Sequence, residues 1–507
     1  NKTLKIKIDL SGRFGVTNEP NDKPWNNGGT TFQYLWNGEL SSFLYPIYWP
    51  NGLIASSGSS LTKPNPVANL MYSGYNRSFS NNISAVTSAN QELNFITPGL
   101  SANALLAFST DYSFSTNLTR DSNEILAYTY DPATQKYNPV TANLYRMGAL
   151  NRTSSSTLTK KNLNIRAGLN YNRDFGKHNV GGLALINQTT STSLPVGSSV
   201  VTLLDPYKIS GFTGKVNYAY NQKYLLDLTA AYNGSDRFES NQRFKWFPAM
   251  SVGWNISEEG FVKNNLHFID FFKLRASYGL TGNDNIGTST FAYQKTYTTG
   301  ASGAIFGETP QSYSGIIEPT LGNTNITWMT TEDFNAGVDL KLFKNRLSVT
   351  VDYFRKLTKD ILTTPGLIPS SFGAALPPYN LGRVQNRGYE VDLTYRDKIG
   401  ADFEYFVNTN VTFAKNKVLY RDEPAYLYDG LASTGKPVGA VFQYTADGFY
   451  QSLSDLYTAP RLVGTPLSSI QLGSVKFKDL TGDGKIDAND RQYIGNNNPN
   501  YTGGLSV

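Results

Sequence analysis

The sequence predicts an all-β protein, a transmembrane antiparallel β-barrel with long loops on one rim. Three observations carry this expectation. Trp328–Arg355 alternates strictly on both sides of a tight turn: Phe334, Ala336, Val338, Leu340 and Leu342 share one face, and Asn335, Gly337, Asp339 and Lys341 the other. After Lys344-Asn345-Arg346, the second arm places Leu347, Val349, Val351 and Tyr353 opposite Ser348, Thr350 and Asp352. Period two around a short turn is a β-hairpin, and roughly 9–11 tilted residues cross a bilayer, apolar side to lipid and polar side to a lumen. A soluble β-sandwich shows the same alternation in any one hairpin. The second observation separates the two: connections along the chain are short and long in turn, as in outer-membrane barrels with short periplasmic turns and long outer loops. Greek-key sandwiches have no reason to keep that phase. Third, aromatic residues gather at strand ends (Phe334 and Phe343, Tyr389 and Tyr395, Phe403 and Phe413), as interfacial girdles require.

Composition agrees. The 507 residues are 39% hydrophobic and 13% aromatic, with 33 Tyr and 28 Phe, and no apolar run is long enough for a transmembrane helix. Forty-five glycines suit turns and bulges. With no cysteine and only His178 and His267, thiol chemistry is excluded and a histidine metal site or triad is poorly supplied. The charge of +6 is spread along strands and turns without a basic block, so nucleic acid is not an expected partner. The chain opens directly into a strand and stops inside another, without a signal peptide, and so reads as the middle of a longer protein.

In order, a first strand over 2–13 bears Leu4, Ile6, Ile8 and Leu10 on one face. A long loop over 14–78 carries Trp25, Trp36 and Trp49. Strands over 79–97 and up to 118 flank the turn Pro98–Ser101. Another long connection, 119–157, precedes strands over 158–173 and up to 188 around Asp174–His178. Loop 189–208 leads to Val216, Tyr218 and Tyr220, the turn Asn221–Lys223, and Tyr224, Leu226, Leu228, Ala230 and Tyr232. Loop 238–247 precedes Met250, Val252, Trp254 and Ile256, and Ser257–Phe268 connects to Leu274, Ala276, Tyr278 and Leu280. Loop 284–327 reaches the opening hairpin. Loop 360–386 reaches Tyr389–Tyr395, the turn Asp397–Asp402 and Phe403–Phe413; segment 417–500 follows. The long connections belong together on the outer rim, where binding specificity usually lives.

Several segments then resemble the SusC/RagA family of TonB-dependent outer-membrane transporters of Bacteroidetes. Tyr224–Phe261 is similar to the family pattern of a strand ending in Gly-Ser-x-Arg-Phe, then Phe-Pro, Gly-Trp and Glu-x-Phe. Lys273–Gly279 with Gly282-Asn283, Trp328–Leu362 with Asn380-Leu381-Gly382 and Gln385–Glu390, and Asp479–Gly504 continue it in the family's order. Residues 1–223 fit more loosely. The resemblance implies a 22-stranded barrel of which this chain supplies about two-thirds of the wall, an N-terminal plug not present here, energy from TonB–ExbB–ExbD through that missing part, and a SusD-like surface lipoprotein as lid. It further implies oligosaccharide or peptide substrates.

One stretch carries metal-type chemistry. Asp479, Thr481, Asp483, the Lys485 carbonyl, Asp487 and Asp490 stand at the oxygen-ligand spacing of an EF-hand loop, with Gly484 at the sharp turn and Ile486 as an anchor. Structural Ca²⁺ is the expected cofactor. Thr481 departs from the usual Asp or Asn, Asp490 is shorter than the bidentate Glu, and no helices flank the loop. An Asx-rich turn held by its own side chains is the other reading.

Glu258-Glu259 could pose as paired acids, but a predicted periplasmic turn makes them solvated turn residues. His178 and His267 read as surface residues. The loop tryptophans could stack on sugars or pack loops together. No catalytic residue is expected. The readings that remain are a SusC-like importer, a SusC-like scaffold subunit of an outer-membrane assembly or secretion complex, and a secreted β-protein that binds glycans with calcium.

Overall fold

A computed structural model of the chain describes residues 3–20, 46–56, 65, 70–120, 126–140, 148–196, 206–287, 291–295, 297–306, 311–318, 320–366, 375–400, 402–424, 426 and 429–507. The first three wall strands are β1 (Leu4–Pro20), β2 (Gly74–Glu92) and β3 (Leu100–Thr119). A small hairpin, β4 (Tyr128–Asp131) and β5 (Lys136–Pro139), lies in the connection to β6 (Asn151–Phe175). The wall continues through β7 (His178–Val196), β8 (Tyr207–Tyr220), β9 (Tyr224–Ser235), β10 (Phe244–Asn255) and β11 (Ile269–Asn283). A second loop hairpin, β12 (Thr298–Phe306) and β13 (Gln311–Ile317), precedes wall strands β14 (Met329–Leu342), β15 (Leu347–Thr363), β16 (Tyr379–Ile399) and β17 (Phe403–Tyr420). The last connection holds β18 (Ala440–Tyr444) paired with β21 (Arg491–Asn496), and β19 (Ala446–Phe449) paired with β20 (Val475–Phe477). It ends at wall strand β22 (Tyr501–Ser506).

The wall strands make one 14-stranded sheet in which each pairs with its predecessor and successor in the order β1-β2-β3-β6-β7-β8-β9-β10-β11-β14-β15-β16-β17-β22. Every ladder in it is antiparallel. This is the up-and-down meander of a membrane barrel wall. The apolar residues confirm which face meets lipid. Ile6, Ile8 and Leu10 are exposed, as are Val216, Leu228, Met250, Val252, Tyr278 and Val351, all at alternate positions of their strands. The accessible surface is 31908 Å², where a compact soluble chain of this mass would expose about 18,000 Å². A sheet that turns its apolar side outward has no interior core to collapse upon.

Short and long connections alternate along the sheet except around β10, where the outer connection Asp236–Arg243 is shorter than the inner one, Ile256–Phe268. Where the expected bounds were wrong, they were wrong in one direction at the rim. β1 runs to Pro20 rather than 13, β2 begins at Gly74 rather than 79, β6 begins at Asn151 rather than 158, and β17 reaches Tyr420 rather than the predicted loop start at 417. The β6 extension, Asn151–Thr157, is made of Asn, Arg, Thr and Ser, with no apolar residue to mark a face, whereas the β1 extension keeps Phe14 and Val16 at alternate positions. The turn between β2 and β3 is Leu93–Gly99, so Leu100 and Ser101 already belong to β3. The hairpins inside the long connections also have no alternation long enough to read.

The opening hairpin folds as its pattern requires. Leu342 pairs with Leu347 and Phe334 with Arg355. Phe343, Lys344 and Asn345 take left-handed φ values of 59°, 61° and 61°. Bonds to the neighbouring connection hold them there: Phe343 N–H donates to the Phe268 carbonyl at 2.9 Å, and Asn345 N–H to Asp270 Oδ2 at 2.8 Å.

Candidate functional site

The polar face of the wall carries ion pairs arranged across strands. Arg275 on β11 is the hub. Its Nε donates to Asp339 Oδ2 at 3.0 Å, Nη2 to Asp352 Oδ2 at 2.7 Å and Nη1 to Asn335 Oδ1 at 3.2 Å, so one guanidinium ties three strands. The position directly opposite Arg275 is Gly337. A β-carbon there would stand 2.7 Å from Arg275 Cζ and 2.7 Å from Asp352 Oδ1, so only glycine leaves room for the fork. Lys215–Asp227 and Lys356–Asp333 pair on the same face. A cavity of about 680 Å³ lies over this region, with Asn335, Ser277, Thr229, Asn386, Glu390 and Thr412 among its lining. This is a polar, ion-paired surface suited to passing or holding polar groups.

A second cluster sits where β8, β9 and β11 end at the outer rim. Tyr207 Oη and Ser235 Oγ both donate to Asp284 Oδ2, at 2.5 and 2.7 Å. Arg237 donates to the Asp284 carbonyl at 3.2 Å and covers the Tyr207 ring at 4.4 Å. Burial, and then the Asp284 carboxylate beside it, push the Tyr207 phenol well above its ordinary value. Next to it Phe238, Phe247, Ile286, Ile326 and Trp328 form a buried apolar cluster. Trp328 packs at 5.4 Å from Phe238 and edge-on at 5.3 Å from Phe247, and its indole donates to the Arg243 carbonyl at 2.9 Å. The Gly-Ser-x-Arg-Phe and Phe-Pro stretches thus tie both ends of the long 284–328 connection to the shorter loop between β9 and β10.

At the opposite end, Glu259 gathers Lys223 Nζ at 3.0 Å, Tyr224 Oη at 2.8 Å and Trp254 Nε1 at 3.2 Å. His178, Tyr220, Tyr224 and Trp254 run as successive ring neighbours across four strands, at 5.0, 6.5 and 6.5 Å. This is a periplasmic aromatic girdle with a carboxylate clasp. Glu258 pairs instead with Lys263 at 2.6 Å, so the two acids do not act together. His178 opens β7 and bonds Tyr218 Oη at 2.8 Å, and His267 is exposed. Hydrogen bonds, first from Lys223 and then from Tyr224 and Trp254, hold the Glu259 carboxyl below its ordinary range. A depressed carboxylate contributes stability that is complete above its unfolded pKa of about 4.3 and is lost as pH falls through the lower folded value. Trp254 fluorescence of the full-length protein in detergent is therefore expected to hold constant from neutral pH to about pH 5 and change below about pH 4. Glu259→Gln, which removes the titrating group, abolishes that acid transition.

The structure brings only part of the predicted calcium set together. Asp490 is fully buried; Oδ1 accepts from Leu480 N–H at 2.9 Å, Thr481 N–H at 3.0 Å and Thr481 Oγ1 at 3.1 Å, and Oδ2 from Asp487 N–H at 2.8 Å. Asp479 accepts from Gly482 and Gly484 N–H, Asp483 from Lys485 N–H at 2.9 Å, and Asp487 from Asn489 N–H at 2.7 Å. Gly484 turns with φ +81°, and Ile486 is fully buried, as the anchor reading expects. Among the described residues, however, no three acidic or histidine side chains stand close enough to hold a metal ion. In this arrangement the carboxylates bond main-chain amides, and Asp490 faces Leu480 and Thr481 rather than a common point with Asp483 and Asp487.

Of the loop tryptophans, Trp49 packs the loops together. Its indole donates to the Tyr128 carbonyl at 2.8 Å, and its ring lies 6.0 and 5.9 Å from Tyr130 and Tyr137 of the small hairpin. Trp25 and Trp36 lie outside the described residues.

An antiparallel meander with lipid-facing apolar residues and an ion-paired inner face defines the wall of an outer-membrane receptor barrel. The chain belongs to the TonB-dependent receptor-like β-barrel family, whose family model matches residues 9–505. It is 28% identical over 372 residues to TonB-dependent receptor P3 of Formosa agariphila (67% of this chain, 36% of that protein). It is 33% identical over 332 residues to receptor P39 of the same organism (59% and 31%). SusC of Bacteroides thetaiotaomicron is 30% identical over 295 residues (56% and 28%). The chain thus spans about a third of the length of these curated relatives. Its fold superposes on the RagAB peptide importer in the closed-closed state with a TM-score of 0.68 at 18% identity, covering 100% of this chain and 54% of that one. The protein is an outer-membrane protein.

Proposed function

We propose that this chain is the barrel wall of a TonB-dependent importer for oligosaccharides or peptides, completed by residues outside it. The observation that carries the reading is the ion-paired inner face around Arg275, with its cavity, on a wall of the SusC/RagA type. A polar lining whose cations are held in ion pairs lets neutral or zwitterionic solutes slide along it. The wall does no chemistry of its own, in keeping with relatives named as receptors. Energy comes from TonB–ExbB–ExbD acting through the N-terminal part of the whole protein, and a SusD-like surface lipoprotein closes over the outer loops. Co-purification of the full-length protein from its own outer membrane tests the partner. The expected result is one surface lipoprotein in equal amount. A larger set of assembly or secretion proteins without such a lipoprotein sinks the importer and favours a scaffold.

We also propose that the Asp479–Asp490 loop takes a structural Ca²⁺ through Asp479, Thr481, Asp483, the Lys485 carbonyl, Asp487 and Asp490. The support is the ligand spacing on a loop already wound about Gly484, with Asp483 exposed and Asp479 and Asp487 half-buried. Binding requires Asp490 to release its amide donors. Calorimetric titration of the full-length protein is expected to show heat that Asp483→Ala abolishes. Absence of heat in the wild type leaves Asp490 and its amides as the whole of what closes the loop.

A further inference from the structure

On the outer face of β15, β16 and β17, near the long-loop rim, an aromatic row lies directly below a cationic one. Tyr353 pairs with Tyr389, Tyr389 with Phe413, and Phe413 with Tyr501. The last two ring pairs sit at 5.1 and 4.8 Å. Two residues further toward the rim, Arg355 pairs with Arg387 and Arg387 with Lys415, and Lys417 stands opposite Gln385 in the next row. All four cations are exposed. Strand alternation puts them on the side of Val351, Val391 and Val411, the lipid side.

Like charges directly opposite on neighbouring strands, with β-carbons about 5 Å apart, repel. The carboxylates at hand do not relieve this. Glu332, diagonal to Arg355, is taken by Lys359, and Glu390 and Asp392 point to the lumen face. Among the described residues no ion pair involves Arg355, Arg387, Lys415 or Lys417. Arg355 is held instead by an amide: with the Gln385 side chain turned so that its oxygen faces the guanidinium, it accepts from Nε at 2.8 Å and Nη2 at 3.3 Å. That leaves the guanidinium fork fixed while its charge stays uncompensated. The aromatic row below marks the level at which hydrocarbon gives way to headgroups. Three cations at that height, on the lipid side, meet whatever anion the outer leaflet supplies.

We propose that Arg355, Arg387 and Lys415, with Lys417 behind them, form a binding site for the phosphate group of an outer-leaflet glycolipid. Its acyl chains lie along Val351, Val391 and Val411, and its sugar rests against Tyr353 and Tyr389. The two arginines supply bidentate donors for a phosphate oxygen pair, and Lys415 the third positive charge. This goes beyond import, because the site faces lipid rather than the lumen.

The test uses the full-length protein extracted from its own outer membrane in mild detergent. Native mass spectrometry is expected to find a retained phosphorylated glycolipid. The triple variant Arg355→Gln, Arg387→Gln, Lys415→Gln loses it by at least about tenfold. Should the triple variant fail to assemble, Arg387→Gln alone still lowers retention by a few-fold, while Lys263→Gln in the periplasmic turn leaves it unchanged. After delipidation, diphosphoryl lipid A raises the thermal midpoint of the wild type and not of the triple variant. Unchanged retention in an assembled variant overturns the proposal. So does equal stabilisation by dephosphorylated lipid A, or by inorganic phosphate alone, which reports a free-anion site. Loss of a bound protein with lipid retention intact assigns the row to a protein partner, and likewise overturns it.

Discussion

Trp328→Ala in the full-length protein is expected to release the outer-rim connection 284–328 without collapsing the barrel. The indole is 2% exposed and sits at the centre of the buried cluster with Phe238, Phe247, Ile286 and Ile326. Truncating a buried tryptophan costs about 3–5 kcal/mol, and the loss here includes the bond to the Arg243 carbonyl. The wall does not share the cost, since its stability rests on ladder bonds in lipid. The effect is local opening, and hydrogen exchange reads it. Amides of 284–287, 320–328 and 236–243 lose about two to four orders of magnitude of protection, by the conversion of that energy into an equilibrium constant, while β14 and β15 keep theirs. Unchanged protection in those segments means that Trp328 does not hold the rim.

Arg275→Met is the second large effect. It leaves Asp339 and Asp352 facing one another across β14 and β15, with Asp352 Oδ1 already buried and without a partner. Breaking a fully buried pair costs about 3–5 kcal/mol and an exposed one under about 1. Arg275 is 31% exposed and Asp352 15%, so a loss of about 2 kcal/mol is expected. Gly337→Ala reaches the same hub from the opposite strand, because its methyl group occupies the space of the guanidinium. Both variants lower the thermal midpoint in detergent. Arg275→Met combined with Asp339→Asn and Asp352→Asn recovers most of it, because the stranded charges are gone. If the triple variant is no more stable than Arg275→Met, the penalty comes from lost packing and the hub reading fails.

Much of the wall was legible because a membrane strand states its two environments residue by residue. Leu347, Val349, Val351 and Tyr353 against Ser348, Thr350 and Asp352 identified the hairpin, but not its register: the turn is Phe343–Arg346, with Leu342 opposite Leu347, rather than Lys344–Arg346 alone. The rim was less legible. Strands such as β6 continue through Asn151–Thr157, a run of Asn, Arg, Thr and Ser with no apolar residue to alternate. The site was hardly legible at all. Arg275, Asp339 and Asp352 lie far apart in sequence, and only the pairing of β11 with β14 and β14 with β15 brings them together. Gly337 gave no local signal, since a glycine in a strand reads equally as a bulge. Phe238 and Trp328 stood inside quoted family segments, but their partnership needed the structure. The Asp479–Asp490 loop shows the reverse case. Its spacing was fully visible, yet the same spacing serves calcium and a main-chain amide network, and side-chain chemistry alone does not choose between them.

The proposed import, driven from the inner membrane, is tested most directly by accumulation of labelled oligosaccharides and peptides by cells of the source organism, with the full-length gene intact or deleted and with TonB active or removed. The account predicts uptake of at least one of these labelled solutes that needs both the gene and TonB, and that stops when the proton gradient is collapsed. Uptake of both classes that is indifferent to the gene, or that persists without TonB, contradicts it.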